Sequence, residues 1–438
     1  MGASDVSDDE TIQNHSADPG RKAMWSWCFY DWANSAFATS VLAVFFPLFF
    51  TQYWSAGVDT TLCTARLGIA NSIAGLLIAV FAPLLGAIAD MGGYRKRFLV
   101  FFAYTGSAMT CALVFIAQGQ WIMAACFFIG ANIGFSGGNI FYDSLITAVA
   151  RHKRLHSVSS LGFAMGYLGG GLLFFINVVA VLRPGMFGFA SSSEAVPYTF
   201  LSTGLWWGVF TLPLVKFVRE PKYRENKPAY HAFRNGLREL RSTFHEIWHS
   251  KHLRIFLIAY WLYIDGVDTI IRMAVDYGLS LGFEQKDLII ALLITQFVGF
   301  PSAILFGKLG NIWGAKRSIM AALAIYVLVS FWGSIMKTVN EFYVMAILIG
   351  LVQGGIQALS RSYFARMIPP EKSAEYFGFY NMLGKFAVII GPGLMGSTAV
   401  ILHSAGIASN HATRLSILSV ACLFVIGGYL LGKLPETR

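Results

Sequence analysis

The chain has 438 residues, of which 56% are hydrophobic and 13% charged, with a formal net charge of +10 and a mean hydropathy of +0.59. A soluble domain carries about 25% charged residues, so a surface that faces water all round is excluded and lipid must be the main solvent. The positive balance does not indicate nucleic-acid binding, because the cations cluster in short loops between apolar stretches, where they report membrane orientation.

The chain opens with a polar stretch holding Asp5, Asp8, Asp9, Glu10 and Asp18, read as a disordered acidic cytoplasmic tail over 1–22. A membrane-crossing helix needs about 20 apolar residues, and twelve such spans are expected: 24–50, 66–90, 97–117, 121–149, 158–182, 197–218, 253–279, 287–311, 317–336, 342–366, 375–402 and 412–433. They group into a six-helix bundle over 23–218, a cytoplasmic linker over 219–252 and a second bundle over 253–438. The predicted fold class is an all-α membrane protein of two pseudo-symmetric six-helix halves. The loops with Arg95–Arg97, Arg151–Arg154 and Lys316–Arg317 are basic, while those on the other side are nearly cation-free. Positive loops stay inside, which predicts that both termini and the central loop are cytoplasmic.

Span one carries Tyr30-Asp31-Trp32-Ala33-Asn34, with Asp31 and Asn34 on one face. A charge inside a span costs roughly 2.5–3.5 kcal/mol on insertion scales and is usually functional. Asp31 reads equally as a proton or substrate group and as a packing hydrogen bond. Span four has a polar stripe of Asn132, Ser136, Asn139 and Asp143. Span five has Gly162, Gly166 and Gly170, the small-residue spacing of close helix packing. In the linker, Phe233, Leu237, Leu240, Phe244 and Trp248 recur at helical spacing. They predict an amphipathic helix on the membrane surface, with docking of a soluble partner as the alternative.

Span seven is the most charged. Its Asp265, Asp268, Arg272 and Asp276 share a helical face with Trp261, and Tyr263 lies close by in sequence. An Asp268–Arg272 ion pair is expected, leaving Asp265 the less neutralised carboxylate. Span ten has Gln353, Gln357 and Arg361, and span eleven has Tyr380, Asn381 and Lys385 ahead of Gly391-Pro392-Gly393. Asp31, Asp265 and Asp268 are the proton-coupling candidates. Asn34, Asn139, Asp143, Trp261, Tyr263, Arg272, Gln353, Gln357, Arg361, Tyr380 and Lys385 are the substrate-binding candidates.

One turn occurs twice, once in each half. It reads Gly86, Asp90, Gly93, Arg95 and Arg97 after span two, and Gly307, Asn311, Gly314, Lys316 and Arg317 after span eight. These residues are expected to form a cytoplasmic gate, in which Asp90 pairs with a turn cation or caps a neighbouring helix, and Asn311 makes a weaker latch. A hydrophobic half duplicated in this way is how two-repeat transporters are built. No P-loop, nucleophile elbow or metal cluster is read, so neither enzyme activity nor a cofactor is expected.

The doubled turn resembles the signature loop of the major facilitator superfamily. Tyr30–Phe37, Gln353–Ser362, Tyr376–Lys385 and Gly391-Pro392 resemble segments of the autophagy-related vacuole effluxer family, and the compactness of the chain is similar to its bacterial members. The resemblance implies alternating access, a substrate class of amino acids and, through the bacterial members, a place in a bacterial inner (plasma) membrane. The leading expectation is a proton-coupled carrier of a small polar or zwitterionic metabolite, acting as a monomer in the lipid bilayer, with Na⁺ as the other candidate ion. An exporter of lipophilic compounds or organic anions, and a non-transporting assembly factor or receptor, are the alternatives.

Overall fold

The computed structural model describes residues 20–220, 229–386 and 390–436. Of the predicted acidic tail, 1–19 lies outside them, as does the linker stretch 221–228. Every element among the described residues is helical. Eleven helices are long and apolar enough to cross a membrane: Arg21–Trp54, Thr60–Gly92, Arg95–Phe115, Trp121–Ser144, His152–Leu182, Ser192–Phe217, Gln285–Ile312, Ala315–Ile335, Val339–Ala365, Pro370–Ser404 and His411–Gly432. The twelfth, Lys251–Ser280, has 30 residues, about 45 Å at the α-helical rise and ample to cross. Lys251, Arg254, Asp265, Asp268, Arg272 and Asp276 set it apart from the others in composition. These helices are spans 1–12 in chain order, with Lys251–Ser280 as span 7.

Local chemistry sets several boundaries. Asp59 accepts the Thr61 N–H at 2.8 Å and starts span 2, and Thr338 with Glu341 forms a capping box at the start of span 10, satisfying donors that a helix start leaves orphaned. Gly93 closes span 2 in the left-handed region, φ 63°, which only glycine adopts cheaply. Span 1 contains π-helical turns over Phe37–Phe45 and Phe50–Trp54. The described segments of span 11 are Ser373–Phe386 and Ile390–Ser404.

The helix Ala229–His249 follows span 6, and the side of the bundle on which it lies is called the linker face. Its described residues do not simply rest on lipid. Thr243 and Ile247 are buried against the protein, while Phe244 and Trp248 remain exposed. The helix packs on spans 2, 7 and 11. The side chains of Phe233 and Leu237 lie outside the described residues.

The two halves meet along two seams, span 2 against span 11 and span 5 against span 8. Small residues make this approach feasible. A Cβ on Gly378 would lie 2.7 Å from the Ala82 carbonyl oxygen and the Pro83 Cα, and one on Gly86 would strike the backbone of Ala374 and Glu375. In the other seam, Tyr167 of span 5 fills the space beside Gly299 of span 8 and Gly354 of span 10. The Gly162, Gly166 and Gly170 series lets span 5 pack on span 1, with Gly166 beside Ser35 and Asp31 and Gly170 beside the Ser35 backbone. Backbone contacts cannot yield as flexible side-chain ends can, so a branched residue here would hold the seam apart.

Gly86→Val should therefore prevent closure of the span 2–span 11 seam while leaving each half folded. Thr147 Oγ1 and Ser373 Oγ lie 3.3 Å apart across the halves. A cysteine pair at these positions, in a background without the native cysteines, should cross-link readily in the parent and poorly with Gly86→Val.

Candidate functional site

Arg361 is a buried cation, 2% exposed, near the linker-face end of span 10. Its guanidinium donates to Asp143 Oδ1 of span 4 at 3.0 Å and to Ser159 of span 5, to Oγ and to the carbonyl, each at 2.9 Å. Asp31 of span 1 lies 4.0 Å away. The Trp27, Tyr142 and Phe163 rings surround the cation at 4.9, 5.2 and 4.3 Å. The carboxylates have further donors. Asp31 accepts from Tyr142 at 3.1 Å and from Ser35 at 3.2 Å, and Asp143 accepts from Asn381 of span 11 at 3.1 Å. Arg361 and Asn381 thus tie the second half to the first. Beside the cluster, Asn34 donates to Asn139 at 2.6 Å, and His156 Nδ1 meets Ser362 Oγ at 2.8 Å across the halves.

A second layer of inter-half contacts lies nearer the loops. Asp90 accepts the N–H groups of Ala374 and Glu375 at 3.2 and 2.9 Å, so it caps the helix that begins span 11. Arg95 donates to Asp90 at 2.5 Å and to the carbonyls of Pro370 and Glu371 at 2.9 and 2.8 Å. The second copy of the turn is built more lightly. Asn311 donates to Ser157 at 2.7 Å, Lys316 holds the Leu434 carbonyl at 2.7 Å, and Arg317 reaches Glu436 at 3.9 Å. Gly307 abuts Ser160, and Gly314 has φ 91°. Arg97 is exposed, over the Tyr94 ring at 5.3 Å. Outside the membrane-crossing segments, Glu220 accepts the N–H groups of Arg95 and Lys96 at 2.9 and 3.1 Å. Burial raises its carboxyl pKa against those hydrogen bonds.

The linker helix straps this layer. Lys372 pairs with Glu246 at 2.8 Å and with Glu239 at 3.4 Å, and Tyr376 donates to Glu246 at 2.9 Å. Burial opposes the ionisation of Glu246, but the Lys372 and Tyr376 hydrogen bonds and the Lys372 charge outweigh it and hold its carboxyl below the usual value.

Span 7 carries a different arrangement. Asp265 is fully buried, and its carboxylate accepts the N–H groups of Ile390 and Gly391 at 3.1 and 3.0 Å and the Thr269 hydroxyl at 3.3 Å. It thus holds two backbone donors at the start of the second described segment of span 11, Ile390–Ser404. The expected Asp268–Arg272 ion pair is absent: among the described residues Asp268, Arg272 and Lys385 make no hydrogen bond and no ion pair within 4 Å. Arg272 and Lys385 are still the cations that act on Asp268 electrostatically. Side chains at i and i+4 are neighbours but meet only when their rotamers turn inward. Here all three end in partly open space, with Asp268 and Lys385 half-buried and Arg272 exposed. Trp261 Nε1 also lacks a partner. The Asp276 side chain lies outside the described residues.

A cavity of about 250 Å³ occupies the half of the molecule away from the linker face. It is bounded by Ala38, Thr39 and Ala43 in the π-helical part of span 1 and by spans 7–12, with Thr269, Tyr277, Thr295, Gln296, Ser330 and Gln353 among mostly apolar side chains. Of the predicted binding residues, only Gln353 lines it, and its Oε1 has no partner. Gln357 is half-buried. Tyr263 bonds Ser360 at 2.6 Å, and Tyr380 stacks on Tyr260 at 4.0 Å. The polar residues that sequence reasoning overlooked are Thr295, Gln296, Ser159 and Trp27. Trp27 alone had a signal, since it lies one helical turn before Asp31 on the same face.

These features define a major-facilitator-type transporter: two packed six-helix halves, shut on one face by buried ion contacts, with a cavity toward the other. The family model described as vacuole effluxer Atg22 like matches residues 64–156 and 150–434, and the chain belongs to that family. It is 39% identical over 413 residues to the uncharacterized MFS-type transporter YxiO of Bacillus subtilis (strain 168), covering 94% of each chain. It is 23% identical over 471 residues to autophagy-related protein 22 of Saccharomyces cerevisiae (strain S288c), covering 88% of each. Among solved structures, the proton:xylose symporter XylE bound to 6-bromo-6-deoxy-D-glucose superposes with a TM-score of 0.71 at 13% identity, covering 95% of each chain. That likeness carries the fold.

Removing one member of a buried ion cluster strands the others, at a cost of about 3–5 kcal/mol. Arg361→Ala should therefore lower the melting temperature sharply. Spin labels at Lys153 and Lys316, one in each half on the linker face, should show a longer distance distribution in that variant. The Glu246 contact should titrate in acid. Because its folded pKa is depressed, its contribution is complete above the ordinary glutamate value and is lost as pH falls through the lower folded one. Hydrogen exchange over 238–249 should rise in that window, and in Glu246→Gln the acid-dependent step should vanish.

Proposed function

We propose that this transporter moves a small zwitterionic metabolite, of amino-acid or short-peptide type, by alternating access coupled to protons. The observation that carries the reading is the Asp268, Arg272 and Lys385 set. Charges of both signs reach the middle of the membrane, lie within electrostatic range of one another and remain without direct partners. Unpaired charge at that depth is costly, and a ligand bearing an ammonium and a carboxylate would relieve it at both ends. Asp268 would take the ammonium, and Arg272 and Lys385 the carboxylate. Trp261 and Gln357 would add polar contacts nearby, and the apolar cavity past Gln353 would accept a side chain.

Proton coupling fits the Arg361 cluster. Asp31 and Asp143 carry two formal charges against one on Arg361, and a proton on one carboxylate would neutralise the excess. Protonation would weaken the hold on Arg361 and release the linker face, while deprotonation would restore it. The basic turns at Arg95, Arg151 and Lys316 all lie on the linker face, which supports its assignment to the cytoplasm of a bacterial inner membrane. With the linker face shut and the cavity in the opposite half, the molecule would be in its outward-directed state.

The second reading, an exporter of lipophilic compounds or organic anions, draws on the mostly apolar lining of the cavity. Uptake into proteoliposomes separates the two. With an imposed pH gradient, an amino-acid and dipeptide panel should give a substrate whose transport is lost in Asp268→Asn and in Lys385→Gln. Asp31→Asn should retain counterflow but lose the response to pH. Transport of lipophilic compounds alone, unaffected by Asp268→Asn, would overturn the zwitterion reading. A response to Na⁺ with none to pH would overturn the proton assignment.

A further inference from the structure

Glu375, in the first turn of span 11, is fully buried, and neither of its carboxyl oxygens has a hydrogen-bond partner. Its backbone is fixed in the span 2–span 11 seam, where its N–H donates to Asp90 Oδ2 at 2.9 Å and its Cα lies against Gly86. The groups around the side chain come from several elements. Span 2 brings Asp90, which Arg95 of span 3 and the Ala374 and Glu375 N–H groups already hold. The linker helix brings Glu239 and Thr243, with Glu246 a turn further on. The Thr243 hydroxyl is buried and, like Glu375, has no partner of hydrogen-bonding geometry. The start of span 11 brings Lys372 and Tyr376. Lys372 pairs with Glu246 and Glu239, and Tyr376 donates to Glu246. Lys372 acts on Glu375 electrostatically, but no ion pair within 4 Å joins them. Asp90 and Glu246 thus have cations and donors of their own, while Glu375 has none. An ionised Glu375 would add a further anion beside Asp90, Glu239 and Glu246, with Arg95 and Lys372 already engaged. A buried carboxylate without donors is far costlier than the neutral acid.

We propose that Glu375 is a proton-binding site of the linker face, filled while that face is shut and emptied into the adjoining water when spans 2 and 11 part. Closing takes one proton from the linker-face solution and opening returns it, so the pH on that side sets how readily the face shuts. The sign follows from linkage: the shut state holds the extra proton, so acid favours closure and alkali favours opening, by about tenfold per pH unit at most for one proton. This direction is opposite to that of the Arg361 cluster, where protonation releases the face. Glu375 responds to the solution on one side, not to the gradient across the membrane. The inference rests on the alternating-access part of the proposed function and is independent of the substrate.

Infrared spectroscopy of the full-length protein at neutral pH reads the proton directly. With the linker face held shut by a cysteine cross-link between positions 147 and 373, a neutral carboxylic acid should give a carbonyl band that disappears in Glu375→Gln. Identical spectra in the parent and the variant would overturn the site. If the variant fails to fold, carbon-13 labelling of the glutamate carboxyls in the parent decides, and a carbonyl region that the label leaves unshifted overturns the site. The consequence for the gate is read without the cross-link, from spin labels at Lys153 and Lys316. Between about pH 6 and about pH 8 the long-distance population should grow with pH in the parent and stay constant in Glu375→Gln. Equal growth in both would overturn the role in closure. Neither measurement uses a substrate, so failure here leaves the zwitterion reading standing, and an empty substrate panel leaves the proton site standing.

Discussion

The rest of the closed face is organised around Arg361, a charge buried inside the protein. A guanidinium in a low-dielectric interior cannot shed its proton, so it must be met by anions and acceptors from every side. Here those groups come from the other half: Asp143, Asp31 and both oxygens of Ser159. The halves must therefore close tightly on this side whenever the cation is satisfied. Two carboxylates face the one cation in this cluster.

Close approach is the second requirement, and glycine meets it. Gly86 and Gly378 let spans 2 and 11 touch through their backbones, and Gly299 and Gly354 receive the Tyr167 ring. Asp90 then finds the two N–H groups that start span 11, which a wider gap would leave to water. Polar satisfaction and steric smallness act together, since each would be useless without the other. The linker helix adds a strap at the outer edge, where Glu246 and Glu239 converge on Lys372.

Span 7 follows another logic. Asp265 serves the backbone of span 11 at Ile390 and Gly391, a structural use of charge within the membrane. Asp268, a helical turn away on the same face, has no such partner and stands with Arg272 and Lys385 in open space. Two carboxylates in near-identical sequence settings thus do different work. The difference lies in which part of span 11 each one faces.

Much of the fold was legible in the sequence, because hydropathy is a one-dimensional property. Twelve apolar stretches, the polar segment between the sixth and seventh, and the doubled Gly86–Arg97 and Gly307–Arg317 turns are read directly from residue order, and the helices fall close to the predicted bounds. The polar residues inside the spans were also visible, since Asp31, Asp143, Arg361 and Lys385 stand out against apolar neighbours. What residue order could not supply was their partners. Asp143 and Arg361 are 218 positions apart, and no local spacing links them. The expected Asp268–Arg272 pair failed for the converse reason, because helical spacing brings side chains close without fixing their rotamers. The Thr295 and Gln296 lining went unnoticed, since one amide or hydroxyl in an apolar helix carries no signal until a cavity forms beside it. The sequence alone determined which segments enter the membrane and which polar groups go with them, because burial in lipid depends on local composition. Only the packing of the two halves decided which charges neutralise each other, which cap a helix and which are left facing open space.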